Sequence, residues 1–330
     1  MGLNINSGYG QAMLGRLIAP TFGRTFVVFN SSDNNKDEVQ RLFETDYNGV
    51  VRYFTSIDAA VSALDSNRND TIVLNTQGTH SSTTGIDLSS LNRVHIMSLD
   101  TLMGIRRKTG QRAKVQLDTT GNAAAIAATL LASGTGCSIQ DIKWMNSGTN
   151  AASKASAIFN GEANYIAGNS FMKFSDLDQT GVADVILSGD SDTFEHNEFG
   201  FDTLVQSVAR PTALIDGYGG KQLTRLEMYD NNFICQSSSA DKVHVKVNDT
   251  AALRYTNRFE RCSFDAAINA TNSAVTLTNA VASVSGLVEG NIHFIDCPTT
   301  CTNFCAGTTD NVKVSKSASS NNANESVTPA

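Results

Sequence analysis

The sequence predicts an all-β fold built as a stacked solenoid, a single-stranded parallel β-helix. The main observation is a short phrase that recurs about every thirty residues: an apolar residue, two free positions, a small or apolar residue, one free position and an aromatic residue. The closing aromatic residues lie 27, 28, 34 and 31 residues apart, and Phe294 follows after 30 more. A regular period of this size is typical of repeat architectures. The five phrases are Ile139–Trp144, Ile166–Phe171, Phe194–Phe199, Met228–Phe233 and Phe259–Phe264.

The composition of each unit favours strands over helices. Apolar and polar residues alternate within the phrases at roughly the two-residue period of a strand, whereas a helix needs apolar residues every three or four positions. Turn-forming residues lie between the phrases, as in Ser147–Asn150 and Asn269–Asn272. Two or three short strands per unit therefore predict one coil of a parallel β-helix.

An asparagine recurs at one position of the phrase, as Asn169, Asn197 and Asn231, where other units carry Ile142 and Cys262. At a repeated corner such amides stack into a ladder that bonds the backbone of the next coil. The alternative is that these amides contact a sugar. The ladder is favoured because the position lies between inward-pointing apolar residues.

The N-terminal part differs from the repeats. Residues 22–29 (FGRTFVVF) predict a strand, and residues 33–43 predict a helix capped by Ser32 or Asp33. In residues 54–64 apolar side chains recur every three to four positions, which predicts an amphipathic helix with a Thr55 or Ser56 cap. Strands are predicted at residues 71–74 and 94–97. We expect a small-residue strand, not a helix, within residues 123–131.

This entry region resembles right-handed parallel β-helices of the pectate-lyase-like class. The residues that carry the resemblance are YFTSIDAAVSALDSNRNDTIVLNTQGTH and IDLSSLNRVHIMSL, where a helix caps the first coil and strands with a Gly-bearing turn follow. The preceding segment is similar to β-helix proteins encoded among tailed-phage structural genes. Three regions are predicted: an attachment arm at residues 1–50, the β-helix at residues 51–307 and a polar tail at residues 308–330.

Composition limits the partners. The net charge is −7 and charged residues make up 17% of the chain. No basic block of the kind that binds a phosphate backbone occurs; the densest basic stretch, residues 106–114, is interpreted as a solvated loop. No apolar run is long enough to predict a membrane span, and residues 1–6 do not resemble a signal peptide. We therefore expect synthesis in the host cytoplasm and no membrane or nucleic-acid partner.

Catalytic residues are not evident. Carbohydrate-active β-helices use two or three carboxylates about 5–10 Å apart if they are hydrolases. Lyases of the class use acidic calcium ligands and a basic proton acceptor. The densest acidic segment offers weak candidates, and no acidic set repeats in phase across neighbouring coils. These candidates are Asp190, Asp192, Glu195 and Glu198, with Asp176, Asp178, Asp184 and Asp202 nearby.

No cofactor or metal site is predicted. Cys297, Cys301 and Cys305 have a spacing that invites a zinc site with His293, but no fourth ligand is obvious. Buried thiols, with one disulfide at most, are the favoured interpretation of the six cysteines. Gly217–Gly220 lacks the strand-to-helix context of a phosphate loop and predicts a turn.

The resemblance implies a non-enzymatic virion structural protein, a capsid-decorating protein or a head or tail appendage, located on the virion. It would be a homotrimer that docks to other virion proteins through residues 1–50. The alternative is a receptor-binding tailspike or polysaccharide depolymerase on the same scaffold, with a host glycan as ligand. That alternative requires exposed aromatic residues, for which Tyr218, Tyr229 and Tyr255 are the candidates.

Overall fold

Three parallel sheets wrap around one apolar core in a computed structural model of the chain. The structure describes residues 23–30, 36–43, 49–102, 112–117, 127–175, 181–239, 243–247, 253–266, 273–277, 291–300, 303–306 and 312–315. A complete coil contributes one strand to each sheet, and a strand pairs with its equivalents one coil before and one coil after; the outermost coils contribute to fewer sheets. This is a right-handed parallel β-helix, as the thirty-residue period predicts.

Sheet A has eleven strands and runs the length of the described chain. All its pairings are parallel. In spatial order its strands are Tyr53–Phe54, Thr25–Val28, Thr71–Leu74, His95–Ser98, Ser138–Gln140, Tyr165–Ala167, Thr193–Glu195, Glu227–Tyr229, Thr256–Glu260, Asn291–Ile295 and Val312–Ser315.

Sheets B and C complete each coil. Sheet B has seven strands: Thr79–Ser82, Ala113–Leu117, Ile142–Asn146, Ser170–Lys173, Glu198–Gln206, Asn232–Ser237 and Ser263–Ala266. Sheet C has eight strands: Ile86–Asp87, Ala128–Ala132, Ala155–Phe159, Val185–Leu187, Ala213–Ile215, Val245–Val247, Ser273–Leu277 and Asn303–Ala306. A further pair joins Leu223–Thr224 to Leu253–Arg254.

Helices are few in the described residues. They are Lys36–Phe43, Ile57–Ser62 and Leu99–Leu102, with a 3₁₀ turn at Tyr218–Gly220. The helix Ile57–Ser62 buries Ile57 and Ala60 against the core, and Ser56 is its N-cap residue without a side-chain capping bond. The predicted amphipathic helix is thus confirmed, although it is shorter than residues 54–64 because Tyr53–Phe54 belongs to sheet A. The 3₁₀ turn agrees with the turn predicted at Gly217–Gly220.

The recurring phrase spans the corner between sheets A and B. Its opening apolar residues align in sheet A, with Ile166 opposite Ile139 and Phe194. Its closing aromatic residues align in sheet B, where Phe171, Phe199 and Phe233 stack with ring centroids 5.3 and 4.8 Å apart. Each ring is fully buried, so stacking and burial together hold successive coils in register.

Phe294 does not close a phrase. It pairs with Phe259 in sheet A and therefore opens the next unit, whose closing position is Thr299, bridged to Phe264. The prediction that placed Phe294 in the series of closing aromatic residues was wrong. Phe294 lies 30 residues after the closing residue Phe264, which matches the period of the repeat by chance, but its partner in the preceding coil is the opening residue Phe259.

The corner between sheets A and B carries the predicted asparagine ladder. Asn169 Oδ1 accepts the Ile142 N–H at 3.1 Å, Asn197 Oδ1 accepts the Asn169 N–H at 2.9 Å, and Asn231 Oδ1 accepts the Asn197 N–H at 2.9 Å. All three side chains are buried. They are therefore not available to a sugar, and the ladder interpretation is confirmed.

Two of the predicted boundaries cut through sheet A. Thr25–Val28 lies between Tyr53–Phe54 and Thr71–Leu74, and Arg24 forms an ion pair with the buried Asp70 at 2.5 Å. At the other end Val312–Ser315 pairs with Asn291–Ile295. Parts of the predicted arm (residues 1–50) and tail (residues 308–330) thus extend the solenoid, because their strands pair in parallel with its outermost coils.

Candidate functional site

The four acidic candidates lie on different sides of one coil. Asp190 is at the corner between sheets C and A, Asp192 points into the core, Glu195 faces outward on sheet A and Glu198 faces outward on sheet B. The chain turns a corner between Asp192 and Glu198, so Glu195 and Glu198 face outward from different sheets. Asp190 is near enough to Asp192 to raise the pKa of its carboxyl, but Asp192 is buried, so these two carboxylates do not form a pair that a glycan can reach.

The other acidic candidates do not add to this group. Asp176 and Asp178 lie outside the described residues, as does the side chain of Asp202. Asp184 is fully buried, with Oδ1 accepting the Lys173 N–H at 3.0 Å and contacting Arg210 at 3.2 Å. It belongs to the interior of the corner between sheets B and C.

Asp192 is part of a second ladder, at the corner between sheets C and A. Its Oδ1 accepts the Asn164 N–H at 2.9 Å, and Asn164 Oδ1 accepts the Cys137 N–H at 2.8 Å. Asp192 is 2% exposed. Burial, with smaller contributions from Asp190 and Glu162, raises the pKa of this carboxyl to about 7, against the hydrogen bonds from Asn164. Asp192 therefore has the same structural role as Asn164 one coil earlier, which is to accept a backbone N–H of the preceding coil.

A buried lysine lies inside the corner between sheets B and C. Lys173 Nζ is within 3.3 Å of Asn146 Oδ1, 3.1 Å of the Gly148 carbonyl oxygen and 3.4 Å of Ser153 Oγ. Burial, reinforced by Arg210 and opposed by Asp184, lowers its pKa to about 7. Because the residue is 0% exposed, a polymer cannot reach this amine, and we interpret the cluster as a structural network.

The outer face of sheet B carries the arrangement that can act on a ligand. One row of this face contains Lys114, Lys143, Ser170 and Glu198 on four consecutive strands, each the register partner of the next. At a strand spacing of about 4.8 Å the row spans about 14 Å. We call these four residues and the adjacent Arg112 the sheet B row.

One end of the row is fixed by hydrogen bonds. Glu198 Oε2 accepts the Ser170 hydroxyl at 2.7 Å and an Arg112 Nη1 hydrogen at 2.8 Å, and Arg112 also donates to Ser170. Arg112 is 8% exposed, and its Nε has no hydrogen-bond partner among the described residues. A buried guanidinium nitrogen without an acceptor is costly, so the hydrogen bonds of Arg112 to Ser170 and Glu198 are needed to hold this side chain in place.

The other end of the row is cationic. Lys114 and Lys143 are half-buried neighbours in register, and no ion pair joins either to a described residue. Burial, with the adjacent Lys114 and Arg112, lowers the pKa of Lys143, while Glu198 opposes the shift. Two like charges in this position repel each other unless an anion lies between them.

Sequence analysis missed Lys143. It occupies the same phrase position as Ser170 and Glu198, so the repeat already contained the signal. Lys114 was assigned to a solvated loop, because the coil that contains it has no recognisable phrase, yet it lies in the strand Ala113–Leu117.

No metal centre is found in the part of the chain that the structure describes: no group of three or more His, Cys, Asp or Glu is placed to hold an ion. Cys137, Cys262 and Cys297 are buried free thiols, and Cys235 is buried. Cys297 points inward whereas His293 faces outward on sheet A, so the two do not share a site. Cys301 and the side chain of Cys305 lie outside the described residues.

None of the described helices is long and apolar enough to cross a membrane.

The sequence matches no protein-family model and no curated protein, but the fold is similar to that of several solved structures. Among solved structures, a pectin methylesterase variant in complex with a hexasaccharide is similar over 89% of this chain and 94% of its own, at 10% identity and a TM-score of 0.49. The pectin methylesterase PemA from Erwinia chrysanthemi is similar over 92% of this chain and 92% of its own, at 12% identity and a TM-score of 0.48. A polygalacturonase from Erwinia carotovora ssp. carotovora is similar over 90% of this chain and 98% of its own, at 9% identity and a TM-score of 0.39.

These comparisons correct the prediction of function. The similar solved structures are pectin methylesterases and a polygalacturonase, so the prediction of a non-enzymatic virion structural protein is not upheld, and the polysaccharide alternative is carried forward as a proposal. The error arose because the resemblance of the N-terminal segment to phage proteins is looser than the resemblance of the coils. At these identities the likeness describes the fold and assigns no activity to this chain. The predicted trimer and the docking of residues 1–50 stay predictions.

Proposed function

We propose that this protein is a polysaccharide depolymerase that binds an acidic glycan along the outer face of sheet B. The observation that carries the proposal is the pair Lys114 and Lys143, two neighbouring lysines without an anionic partner among the described residues. A flat row along the solenoid axis matches an extended polymer better than a compact ligand.

The charge of the row selects the ligand. Arg112 and Lys114 supply two cations against the single carboxylate of Glu198, and Lys143 lies next to Lys114 with a lowered pKa. A uronate carboxylate bound to Lys114 gains a charge-assisted hydrogen bond. The next outward row of sheet B includes Met145 and Met172, which offer apolar surface to the carbon face of a sugar ring.

The site favours elimination over hydrolysis. Hydrolysis needs a second carboxylate, and the described part of the sheet B row contains one. Elimination needs a base and a cation that stabilises the uronate as the proton leaves. Burial and the adjacent Lys114 lower the pKa of Lys143, which shifts this lysine in the direction that favours its action as a base.

The proposed reaction breaks the chain at C4 of the uronate. The neutral Lys143 amine takes the proton from C5, the C5–H electron pair forms the C4–C5 double bond, and the C4–O bond breaks. The leaving oxygen takes a proton from water, and Lys143 returns its proton to solvent. Lys114 holds the uronate carboxylate, while Arg112, Ser170 and Glu198 fix the position of the neighbouring sugar.

The test is to incubate the protein with polygalacturonate and alginate and to follow the ultraviolet absorbance of unsaturated products together with new reducing ends. We expect both signals to appear together, and Lys143→Gln to abolish them. The matched control is Lys246→Gln, a half-buried lysine on a strand of sheet C. New reducing ends without unsaturated product would show hydrolysis and overturn the mechanism. Binding without either signal would overturn the depolymerase and leave a glycan-binding protein.

A further inference from the structure

Two tyrosine rings, each beside a guanidinium group, lie at sheet A: Tyr229 in the strand Glu227–Tyr229, and Tyr255 at the turn that leads into the strand Thr256–Glu260. Arg225 Cζ is 4.4 Å from the centroid of the Tyr255 ring, and Arg258 Cζ is 5.7 Å from the centroid of the Tyr229 ring. Tyr255 is 42% exposed, and the Arg225 and Arg258 side chains are 56% and 43% exposed. An exposed tyrosine with its ring fixed by a cation is an amphipathic platform, apolar on its face and polar at its rim.

Carboxylates surround the two platforms. Glu195 and Glu260 are the register partners of Tyr229 on the strands to either side, and Glu227 is the register partner of Arg258. We call this set of seven residues the sheet A strip: Glu195, Arg225, Glu227, Tyr229, Tyr255, Arg258 and Glu260. With the ion-pair partners Arg261, Asp230 and Asp190 included, the surface carries five carboxylates and three guanidinium groups and is therefore acidic.

The polar atoms of the strip are already held in place. Tyr165 donates its hydroxyl hydrogen to Glu195 Oε2 at 2.6 Å, and Glu260 is bound by both Arg258 and Arg261. Carboxylates fixed in this way lose little conformational entropy when they accept hydroxyl hydrogens from a ligand. Arg225 and Tyr229 are four residues apart in the chain, so the two platforms are separated by up to about 13 Å along the strand direction.

From this arrangement we propose a second saccharide site on sheet A, which binds an uncharged oligosaccharide. Aromatic faces stack on the carbon face of a sugar ring, and carboxylates and guanidinium groups bond to its hydroxyls. The excess of carboxylates disfavours a polyanion, in contrast to the cationic sheet B row. The site lies on a different face of the coil from the sheet B row and needs no cleavage, so it acts as an anchoring site. The inference holds whether or not the chain is a depolymerase.

Two variants isolate the platforms. Tyr229→Ala and Tyr255→Ala each remove one ring, and Tyr218→Ala is the matched control, since Tyr218 lies beside the outer face of sheet C and not on sheet A. The probe is a printed array of neutral gluco-, manno- and galacto-oligosaccharides, followed by calorimetry with the hexasaccharide that binds best. We expect each sheet A variant to lose about tenfold in affinity or more, and Tyr218→Ala to bind as the wild type does.

Two controls keep this site separate from the sheet B row. Lys143→Gln should leave binding of the neutral hexasaccharide unchanged, and excess polygalacturonate should not displace it. The inference is overturned if no neutral glycan on the array is retained, or if the double variant Tyr229→Ala/Tyr255→Ala binds as tightly as the wild type. Displacement by polygalacturonate together with loss in Lys143→Gln would also overturn it, because a single site would then bind both ligands. Circular dichroism of each variant confirms that the coil is retained.

Discussion

Replacing Asp192 by asparagine should stabilise the protein, and the gain should depend on pH. Asp192 is a buried acid in a ladder position that asparagine fills one coil earlier, at Asn164. Its pKa is raised from 3.8 to about 7. The folded state therefore binds more protons than the unfolded state between these values, and the wild type loses stability as pH rises through this window.

The magnitude follows from the shift. About three units at 1.36 kcal/mol each give about 4 kcal/mol as the largest penalty, reached above pH 7. Asp192→Asn carries no such penalty, and its amide can accept the Asn164 N–H in the same way. We expect the variant to equal the wild type near pH 4 and to exceed it increasingly up to about pH 7, with a constant difference beyond.

Urea denaturation of both proteins at pH 4, 5, 6, 7 and 8, followed by circular dichroism, measures this difference. Asp296→Asn is the control, because it makes the same change at an exposed carboxylate on another coil; its effect should stay within about 0.5 kcal/mol. A difference that does not change with pH, or that vanishes at pH 8, would refute the conclusion that a buried charge at Asp192 opposes folding.

Two further predictions concern the core. Asn197→Ala should destabilise the protein by about 2–4 kcal/mol in the same denaturation assay. The change leaves the buried Asn169 N–H without its acceptor and removes the two hydrogen bonds that the Asn197 amide donates. The control Asn232→Ala, on the outer face, should cost far less. Phe199→Ala should cost about 3–5 kcal/mol by opening a cavity in the middle of the stack formed with Phe171 and Phe233; an equal urea midpoint for variant and wild type would contradict the role assigned to the stack.

The repeat and its first ladder could be predicted from sequence because both are local patterns. An inward aromatic residue and an inward asparagine, separated by a fixed two positions, recur whenever the same corner is formed. The entry helix was equally accessible, since its apolar spacing is independent of the coils. The phrase, its asparagine position and the entry helix can each be recognised from residues that lie within about ten positions of one another.

The candidate site was less accessible because it depends on register across coils. Lys114, Lys143 and Glu198 come together through pairing between segments that are about 30 or more residues apart. Asp192 was grouped with Glu195 and Glu198 by proximity in sequence, but the corner at Ser191, with a φ of 58°, turns Asp192 inward. The direction of each side chain follows from the exact residue at which the backbone turns, and the second ladder has no recurring aromatic residue to mark that point.

The two sides of the coil differ in how they tolerate a change of length. In the coils whose sheet A strands run from Ser138–Gln140 to Thr256–Glu260, the chain passes from sheet A to sheet B through one residue at positive φ and one inward residue, as at Gly168 and Asn169 or His196 and Asn197. The two earlier coils use the longer connections of residues 75–78 and 99–112. An inserted residue at the short corner would rotate every later side chain out of phase with the coil below. The connections from sheet B to sheet C have no constant length: residues 147–154 form one and residues 207–212 another. New loops can therefore be added on that side while the ladder, and with it the spacing of both proposed glycan surfaces, stays as it is.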